Sequence, residues 1–404
     1  MTSEENVAEK SDAPSPNVQT MEKIPEEGVE ETSSAPPGDQ KPLSRPVDMQ
    51  LGRRSFGKQN CRKVPGTYVA QCDQLAIHVK SDGLFVDCLE CVSECRWVRL
   101  LDNITYIACG VVLRKAECGD GLDVLLVQEA KKNCRGKWYL PAGRVEPGET
   151  IENAVRRELK EESGFTCSTD ELICLQVKGS GWYRFVYSCT IQKGSLKTEP
   201  DEESLAAQWF GIEQVRNKEV TLRSSDILKI IDEAVRYREW KSKVNEADLH
   251  PPIQIVNENQ PGLFVEFMMV KRSIDLSKTE VLVHRSIKTE EQLASAKDAF
   301  PTVEFGFEYF FPMVVSKCYR HLIEEGPNVL EAPSGVVSVA CLPSPVESLS
   351  HGLRVRLFCQ HKKSQRKSNL IDPNRYHWLQ VNAPEVLAKF HLKTDQFKVA
   401  LHML

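Results

Sequence analysis

Three glutamates within five residues are the feature of this 404-residue chain most suited to chemistry. Glu158, Glu161 and Glu162 have the i, i+3, i+4 spacing that brings side chains to one face of a helix. Three clustered carboxylates repel one another unless a cation lies between them. Hard oxygen ligands suit Mg²⁺ or Mn²⁺, which neutralise phosphate charge and help to activate water. The spacing therefore predicts a divalent metal site for phosphate chemistry.

The residues around these glutamates are of types that support such a site. Gly143 and Gly148 permit a loop to approach the helix closely. Arg157 lies one turn before Glu161 and can hold its carboxylate in place. The alternative is a solvated acidic helix face with capping glycines. The full pattern of loop and helix favours the metal site.

A helix and several strands must position these residues. Residues 149–163 are predicted to form the helix, because their apolar side chains recur on one face. That face consists of Ile151, Ala154, Val155 and Leu159. Runs of β-branched and aromatic residues predict strands at 104–114, 123–130 and 182–191, with a further strand at Trp209 and Phe210. Residues 225–243 are predicted to form an amphipathic helix with Ser225 as its N-cap.

The stretch GRVEPGETIENAVRRELKEESGF, residues 143–165, resembles the Nudix hydrolase signature at every fixed position. The flanking segments QEAKKNCRGKWYLPAGRVEPGET, WYRFVYSC and EESLAAQWF resemble the branch that hydrolyses 8-oxo-purine nucleoside diphosphates. This resemblance covers roughly residues 104–240. It implies an α/β fold, the Nudix α/β/α sandwich with a mixed sheet. It also implies hydrolysis of 8-oxo-dGDP or 8-oxo-GDP to monophosphate and phosphate, which cleans the nucleotide pool.

The resemblance implies a role for each residue of the motif. Glu158, Glu161 and Glu162 would bind Mg²⁺ or Mn²⁺, with the carbonyl of Ala142 as a further ligand. Ala142 stands where many family members have glycine, as it does in the diphosphate branch. The catalytic set would add Arg157, and one glutamate or a nearby carboxylate would orient or deprotonate water. The loop-shaping residues would be Gly143, Gly148, Glu149 and Gly164, with Glu149 also supporting the cation shell.

Contacts to the substrate are less strongly indicated than the metal ligands. Arg144 is a candidate for a phosphate contact, with an exposed surface arginine as the alternative. Trp182, Tyr183 and Trp209 are candidates for stacking on a purine base, with core packing as the alternative for each. Tyr183 lies 18 residues past the motif, where some dinucleoside polyphosphate hydrolases have a tyrosine.

Residues 263–404 contain a weaker copy of the same pattern. FMMVKRS and EVLVHRS repeat CGVVLRK and DVLLVQE, and RHLIEEG repeats RELKEESG. We therefore expect a second, degenerate Nudix-like α+β domain. Pro312 and His321 replace two of the required glutamates, so we expect no Mg²⁺ site there. The alternative is coincidence between two strand-rich domains. Capping of the active site, dimerisation and binding of a regulatory ligand all stay open as roles.

The remaining residues divide into two further segments. Residues 1–65 are predicted to be a disordered acidic, proline-rich tail, because their first 55 residues hold seven prolines and no aromatic residue. Residues 66–100 are predicted to be a cysteine-rich segment before a Nudix domain at 101–245. Cys88, Cys91 and Cys95 lie close together, so zinc is the alternative to reduced, packed thiols.

Composition limits the partners and the compartment. A net charge of −5 gives no general attraction to nucleic acid or anionic membranes. No apolar run approaches the roughly 20 residues of a membrane span. The polar N-terminus is unlike a secretory signal, so the 14 cysteines are expected to be reduced in the cytoplasm or nucleus. The expected partner is a small nucleotide, and the sequence does not indicate an oligomeric state.

The sequence thus predicts a Mg²⁺-dependent hydrolase of oxidised purine nucleoside diphosphates. A hydrolase of dinucleoside polyphosphates, or of other nucleoside diphosphate-linked compounds, is the alternative enzyme. A nucleotide-binding regulator without turnover is the alternative of another class.

Overall fold

The structure of the protein is a computed structural model that describes most of residues 100–404. It leaves out 118, 180, 245–251, 258–259, 306–310, 325–330, 346–350, 362–368 and 395. Before residue 100 it describes only the backbone of three strands between 68 and 87. The predicted tail at 1–65 and the cysteines Cys88, Cys91 and Cys95 lie outside the described residues.

The elements follow one another in two similar series. The first part contains β1 (Tyr68–Cys72), β2 (Leu75–Val79), β3 (Leu84–Asp87), β4 (Thr105–Val111), β5 (Leu113–Lys115), β6 (Leu122–Glu129), β7 (Trp138–Tyr139), β8 (Ala142–Arg144), α1 (Ile151–Ser163), β9 (Phe165–Lys178), β10 (Trp182–Gly194), β11 (Ser204–Gly211), α2 (Ile212–Arg216) and α3 (Asp226–Lys243). The second contains β12 (Ile255–Asn257), β13 (Gly262–Arg272), β14 (Thr279–His284), α4 (Glu290–Ser295), β15 (Thr302–Phe305), α5 (Phe311–Leu322), β16 (Gly335–Leu342), β17 (Gly352–Gln360), β18 (Tyr376–Val381), α6 (Pro384–Lys389) and β19 (Ala400–Met403).

A five-stranded mixed sheet lies between α1 and α3. Its order is β19-β9-β10-β4-β8, with β10 parallel to β4 and antiparallel to β9. Tyr187 of β10 donates to Glu152 of α1 at 2.7 Å, and Arg184 donates to Asp226 of α3 at 2.7 Å. Side chains alternate between the two faces of a strand, so the two helices lie on opposite faces. The predicted α/β fold with a mixed sheet is confirmed.

A four-stranded antiparallel sheet lies on the other side of α1. Its order is β11-β6-β5, with β7 paired to β6. Helix α1 contacts β4, β8 and β9 of the mixed sheet as well as β6 and β11 of this one. The helix is therefore fixed by two sheets, and side chains on the face between them are buried.

The second series of elements repeats the strand pairing of the first. In the ten-stranded sheet, β13 is parallel to β17 and antiparallel to β15, and β16 is antiparallel to β17. These pairs correspond to β4 with β10, β4 with β8, and β9 with β10. The antiparallel pair β14–β18 corresponds to β6–β11. Strands β1 to β3 extend this sheet, because β3 pairs with β15.

The strand that follows α3 pairs with the second series, and the strand that ends the second series pairs with the first. Strand β12, which follows α3, pairs in parallel with β16. Strand β19, which follows α6, pairs in parallel with β9. One hydrophobic core includes residues of both series, and the described residues of the chain belong to one compact unit. The boundaries 101–245 and 263–404 stay a prediction of domains, and the structure shows that these segments share strands and core.

Two local findings complete the fold. Ser225 precedes α3 as predicted, but its side chain makes no capping hydrogen bond because its own backbone is already helical, with φ −77° and ψ −5°. None of the helices in the described part of the chain combines the length and apolar character that crossing a bilayer requires.

Candidate active site

Helix α1 forms as its sequence predicts and ends at a glycine. The Thr150 hydroxyl accepts a hydrogen bond from the Asn153 amide at 3.2 Å and caps the first turn. All four residues of the predicted apolar face are buried. Gly164 has φ +86°, and a Cβ there would lie 2.4 Å from the carbonyl oxygen of Ser195. Only glycine fits this helix end without a backbone shift.

The three glutamates of α1 do not share one environment. Glu158 is 6% exposed and Glu162 is 4% exposed, and both face the loop before the helix. The side chain of Glu161 is 43% exposed. Glu158 and Glu162 therefore lie together beside the loop, while Glu161 is turned towards solvent.

Arg157 connects the loop to the helix. Its Nε and Nη2 atoms donate to the two carboxylate oxygens of Glu149 at 3.1 and 2.7 Å. Its Nη1 donates to Glu158 at 2.8 Å and to Glu161 at 3.1 Å, so the predicted contact with Glu161 is present. Nη2 also donates to the carbonyl of Arg144 at 3.0 Å. One guanidinium thus holds three carboxylates and the loop.

The loop from β8 to α1 lies directly against the buried glutamates. The Ala142 amide donates to Glu162 Oε2 at 2.9 Å. A Cβ on Gly143 would lie 2.0 Å from Glu158 Oε1, so this carboxylate occupies the space that any other residue would need. Gly148 has φ +90°, which favours glycine, and its amide donates to the carbonyl of Ser344 at 2.8 Å.

Burial makes the two inward glutamates hard to ionise. Burial, followed by the nearby charge of Glu158, raises the pKa of Glu162 to about 8 against the opposing hydrogen bond from Ala142. Burial also raises the pKa of Glu158, although the Arg157 guanidinium lowers it. Two neighbouring buried carboxylates, with Arg157 paired to Glu158, favour the arrival of further positive charge.

The donor atoms at this site suit a divalent cation. Among the described residues, Glu158, Glu161 and Glu162 each have a hydrogen bond to one carboxylate oxygen only. The second oxygens are left for a ligand, and carboxylate oxygen is what Mg²⁺ and Mn²⁺ prefer. No three His, Cys, Asp or Glu side chains of the described residues are gathered closely enough to form a metal cluster as they stand. The guanidinium of Arg157 lies between Glu158 and Glu161 instead.

Two further carboxylates near the site were not predicted. Glu129 at the end of β6 is 5% exposed and pairs with Arg223 at 2.7 Å. Its charge raises the pKa of Glu162, and that of Glu203 raises the pKa of Glu158. Neither belongs to the motif, and only the folding of β6 and β11 against α1 brings them near.

The predicted base contacts lie in different surroundings. Tyr183 is wrong as a stacking surface, because it is fully buried and packs edge-on against Tyr106 and Phe311. Trp209 is half-buried, with the Arg114 guanidinium 4.3 Å above its ring. Trp182 is half-buried beneath Arg184, whose guanidinium lies 4.9 Å from the ring.

Arg144 is exposed on the loop, so it stays a candidate for a phosphate contact. In the second series, His321 and Pro312 lie on α5 where the repeat places them. Glu324 follows that helix, and its carboxylate accepts from the Asn369 amide at 2.9 Å. Within the described part of α5, no carboxylate replaces the missing ones.

Comparison with known proteins agrees with the geometry. Residues 105–229 match the family model of the NUDIX domain. The chain is 54% identical over 313 residues to a putative Nudix hydrolase 1 from Caenorhabditis elegans, covering 78% of this chain and 84% of that protein. It is 44% identical over 144 residues to the human 8-oxo-dGDP phosphatase NUDT18, covering 35% of this chain and 42% of that protein. The Danio rerio protein of the same name is 38% identical over 182 residues, covering 44% of this chain and 52% of that protein.

The 8-oxo-dGDP phosphatases are thus matched over about half of their length, whereas the nematode hydrolase is matched over most of it. The buried glutamate pair, the Arg157 contacts and the close approach of Gly143 are the geometry of the matched motif. The chain belongs to the Nudix hydrolase family and is an enzyme that acts on pyrophosphate bonds.

Proposed function

We propose that this enzyme hydrolyses oxidised purine nucleoside diphosphates, 8-oxo-dGDP and 8-oxo-GDP, to the monophosphate and phosphate. The observation on which the proposal rests is the pair of buried carboxylates beside the glycine loop, joined to it by Arg157. The similarity to proteins named 8-oxo-dGDP phosphatase supports the choice of substrate. Removal of oxidised nucleotides from the cellular pool would be the consequence, and a cytoplasmic or nuclear location stays a prediction.

Glu158, Glu161 and Glu162, with the carbonyl of Ala142, are the residues that would hold Mg²⁺ or Mn²⁺. A bound cation supplies charge neutralisation on the pyrophosphate and makes a coordinated water more acidic. Arg157 holds the carboxylates and the loop in position through its contacts to Glu149, Glu158 and Glu161. Glu161 is the solvent-accessible member of the three, so we assign to it the contact with the attacking water.

A substrate panel tests the proposal. We expect phosphate release from 8-oxo-dGDP in Mg²⁺, and slower release from dGDP, which is the matched substrate without the oxidised base. The other arms are dGTP, ADP-ribose and diadenosine tetraphosphate. Preferred turnover of diadenosine tetraphosphate or ADP-ribose would assign the alternative enzyme class. Binding of nucleotide without turnover of any substrate would assign a regulator.

Residues 263–404 are, in our proposal, a second Nudix-like domain that has lost catalysis. The repeated strand pairing and the matching helix α5 support a common architecture. His321 stands in place of the ligand Glu158, and Pro312 stands in place of the loop residue Glu149. The segment therefore serves the first series structurally, through the exchanged strand β19 and the contact of Ser344 with Gly148.

A further inference from the structure

A cavity between α3, β17 and the strand β19 is lined mainly by cations and polar groups. Its volume is about 460 Å³, which falls within the roughly 300–1,000 Å³ of small-molecule sites. The basic side chains in its lining are Arg236, Arg272, Lys398 and His402. Glu233 is the carboxylate among its described lining residues. Among the described lining residues, positive charge therefore exceeds negative charge.

This cavity is separate from the glutamates of α1. His402 of β19 contacts Glu233 of α3 at 3.2 Å and Gln176 of β9 at 3.3 Å, so the cavity lies on the α3 face of the mixed sheet. Arg184 contacts Asp226 on that same face. Helix α1 packs against the opposite face, where Leu159 approaches Gly110. A ligand in the cavity is therefore not a substrate of the site described above.

Glu233, the carboxylate of the described lining, is already engaged. Arg236 donates to Glu233 at 2.6 Å, and His402 lies 3.2 Å from its other oxygen. Arg272 has no carboxylate partner among the described residues. It donates to the carbonyl of Leu392, and the ring of Phe358 lies 5.7 Å from its guanidinium. Burial lowers the pKa of Arg272, and a half-buried guanidinium without a counter-ion is unfavourable.

We propose that the cavity binds a phosphorylated anion of nucleotide size, with Arg272 as its main phosphate contact. A guanidinium binds phosphate through two parallel hydrogen bonds, and an incoming anion would neutralise a charge that no carboxylate of the described residues pairs with. Arg236 on α3 would add electrostatic attraction for the anion. Ser334, Gln360 and Thr394 provide neutral hydrogen-bonding groups in the same wall, which suits the sugar and base of a nucleotide.

Calorimetric titration of the full chain in EDTA tests the proposal, because chelation keeps divalent cations from the glutamate site. The probes are GMP, pyrophosphate, inorganic phosphate and, as the uncharged control, guanosine. We expect saturable binding of GMP that is stronger than that of phosphate, and none of guanosine. Arg272→Ala should weaken GMP binding by about tenfold or more, as loss of a charge-assisted contact predicts. Arg285→Ala, which removes an exposed arginine from the same series, should leave it unchanged.

Two further variants test whether the Arg272 charge is responsible for binding and whether GMP binds away from the glutamate site. Arg272→Gln removes the charge and keeps a polar, unbranched side chain, so a loss of binding with an unchanged circular dichroism spectrum supports the role of the charge. Glu161→Gln should retain GMP binding, because that glutamate lies across the sheet. Absence of saturable binding, or GMP binding that is equal in the wild type and both Arg272 variants, would overturn the proposal. Equal affinity for phosphate and GMP would overturn the nucleotide-sized ligand.

Discussion

At the scale of single residues, the site depends on a glycine and a carboxylate that occupy adjoining space. Gly143 leaves room for the carboxylate of Glu158, which would lie 2.0 Å from a Cβ at that position. The carboxylate is the mobile end of a side chain, so a larger residue displaces it rather than the backbone. The position therefore matters for activity more than for stability.

Gly143→Ala should reduce kcat/KM by about a hundredfold, since displacement of a catalytic group by about 1 Å has effects of that size. The midpoint of urea unfolding should change little. Gly121→Ala is the matched control, because a Cβ there meets only the Ala116 side chain at 4.0 Å. Equal activity of the two variants would contradict the importance of this contact.

Glu161→Gln should lower kcat by about 10²- to 10⁴-fold, the range for loss of a group that transfers protons. Its free energy of unfolding should change by less than about 1 kcal/mol, because the side chain is 43% exposed. Phosphate release and urea titration measure the two quantities. Exposed Glu219→Gln is the control, and retained turnover in Glu161→Gln would refute the role assigned to this glutamate.

Residue-level predictions from the sequence succeed where the contact is local. The Arg157–Glu161 pair follows from one turn of helix, and the structure has it at 3.1 Å. The contact of Arg157 with Glu149 depends on the path of a loop, which spacing alone does not define. Alternation along β10 does not decide between stacking and core packing for Tyr183, because it does not reveal that the second series covers that face.

At the scale of elements, the helix that presents the glutamates was predictable and its neighbouring strand was not. The helix was predicted at 149–163 and is observed at Ile151–Ser163. The bounds agree closely because apolar periodicity and Gly164 define the helix. Strand β9 has polar residues from Thr166 to Asp170 and irregular register with β10, so it lacks the alternation of a simple strand. Because β9 begins directly after Gly164, it nevertheless defines where α1 ends.

Gly164→Ala should lower the free energy of unfolding by roughly 3 kcal/mol, because the left-handed backbone is strained for alanine and a backbone oxygen lies 2.4 Å from the new Cβ. Gly119→Ala separates the two causes, since Gly119 has φ +89° with nothing within 4 Å. The free energy of unfolding of Gly119→Ala should fall by only about 1 kcal/mol. Equal losses in urea denaturation would show that the clash is relieved.

The stability of β9 should depend on pH through Glu171. Burial raises the pKa of this carboxyl to about 7, although hydrogen bonds from the Ile253 amide and Tyr237 lower it. The folded state therefore holds a proton that the unfolded state releases near 4.5. Stability from this group is fully present below pH 4.5 and is lost as the pH rises to 7.

Glu171→Gln should abolish this dependence while keeping an acceptor for the Ile253 amide, which lies 2.9 Å from the carboxylate. Its stability relative to the wild type should rise by about 3 kcal/mol between pH 4.5 and pH 8, at about 1.4 kcal/mol per pKa unit. Chemical denaturation at both pH values measures the difference. A difference that stays constant with pH would show that Glu171 titrates normally.

At the scale of the whole molecule, the two series depend on one another. Tyr183 of the mixed sheet packs on Phe311 of α5, and the carbonyl of Ser344 binds the Gly148 amide in the catalytic loop. Glu152 of α1 accepts from the Ile255 amide of β12 at 3.2 Å. Comparison of the two halves of the sequence indicated the repeat. The exchange of strands between the halves depends on contacts that no local sequence pattern encodes.

A fragment of residues 101–245 should therefore be insoluble or inactive alone, because its mixed sheet loses β19 and its aromatic face loses α5. Co-expression with residues 252–404 should restore hydrolysis of 8-oxo-dGDP. Solubility and phosphate release of the separate and combined fragments measure this. Full activity of the first fragment alone would show that the two segments are independent domains.

The exchange of β19 also has a consequence for synthesis on the ribosome. Strand β9 ends at Lys178 and its partner begins at Ala400, so 221 residues lie between them. At about 5–20 residues per second, translation leaves this sheet edge open for roughly 10–40 s. An unpaired edge is prone to intermolecular pairing, so the nascent chain exposes an aggregation-prone edge until its second half has emerged.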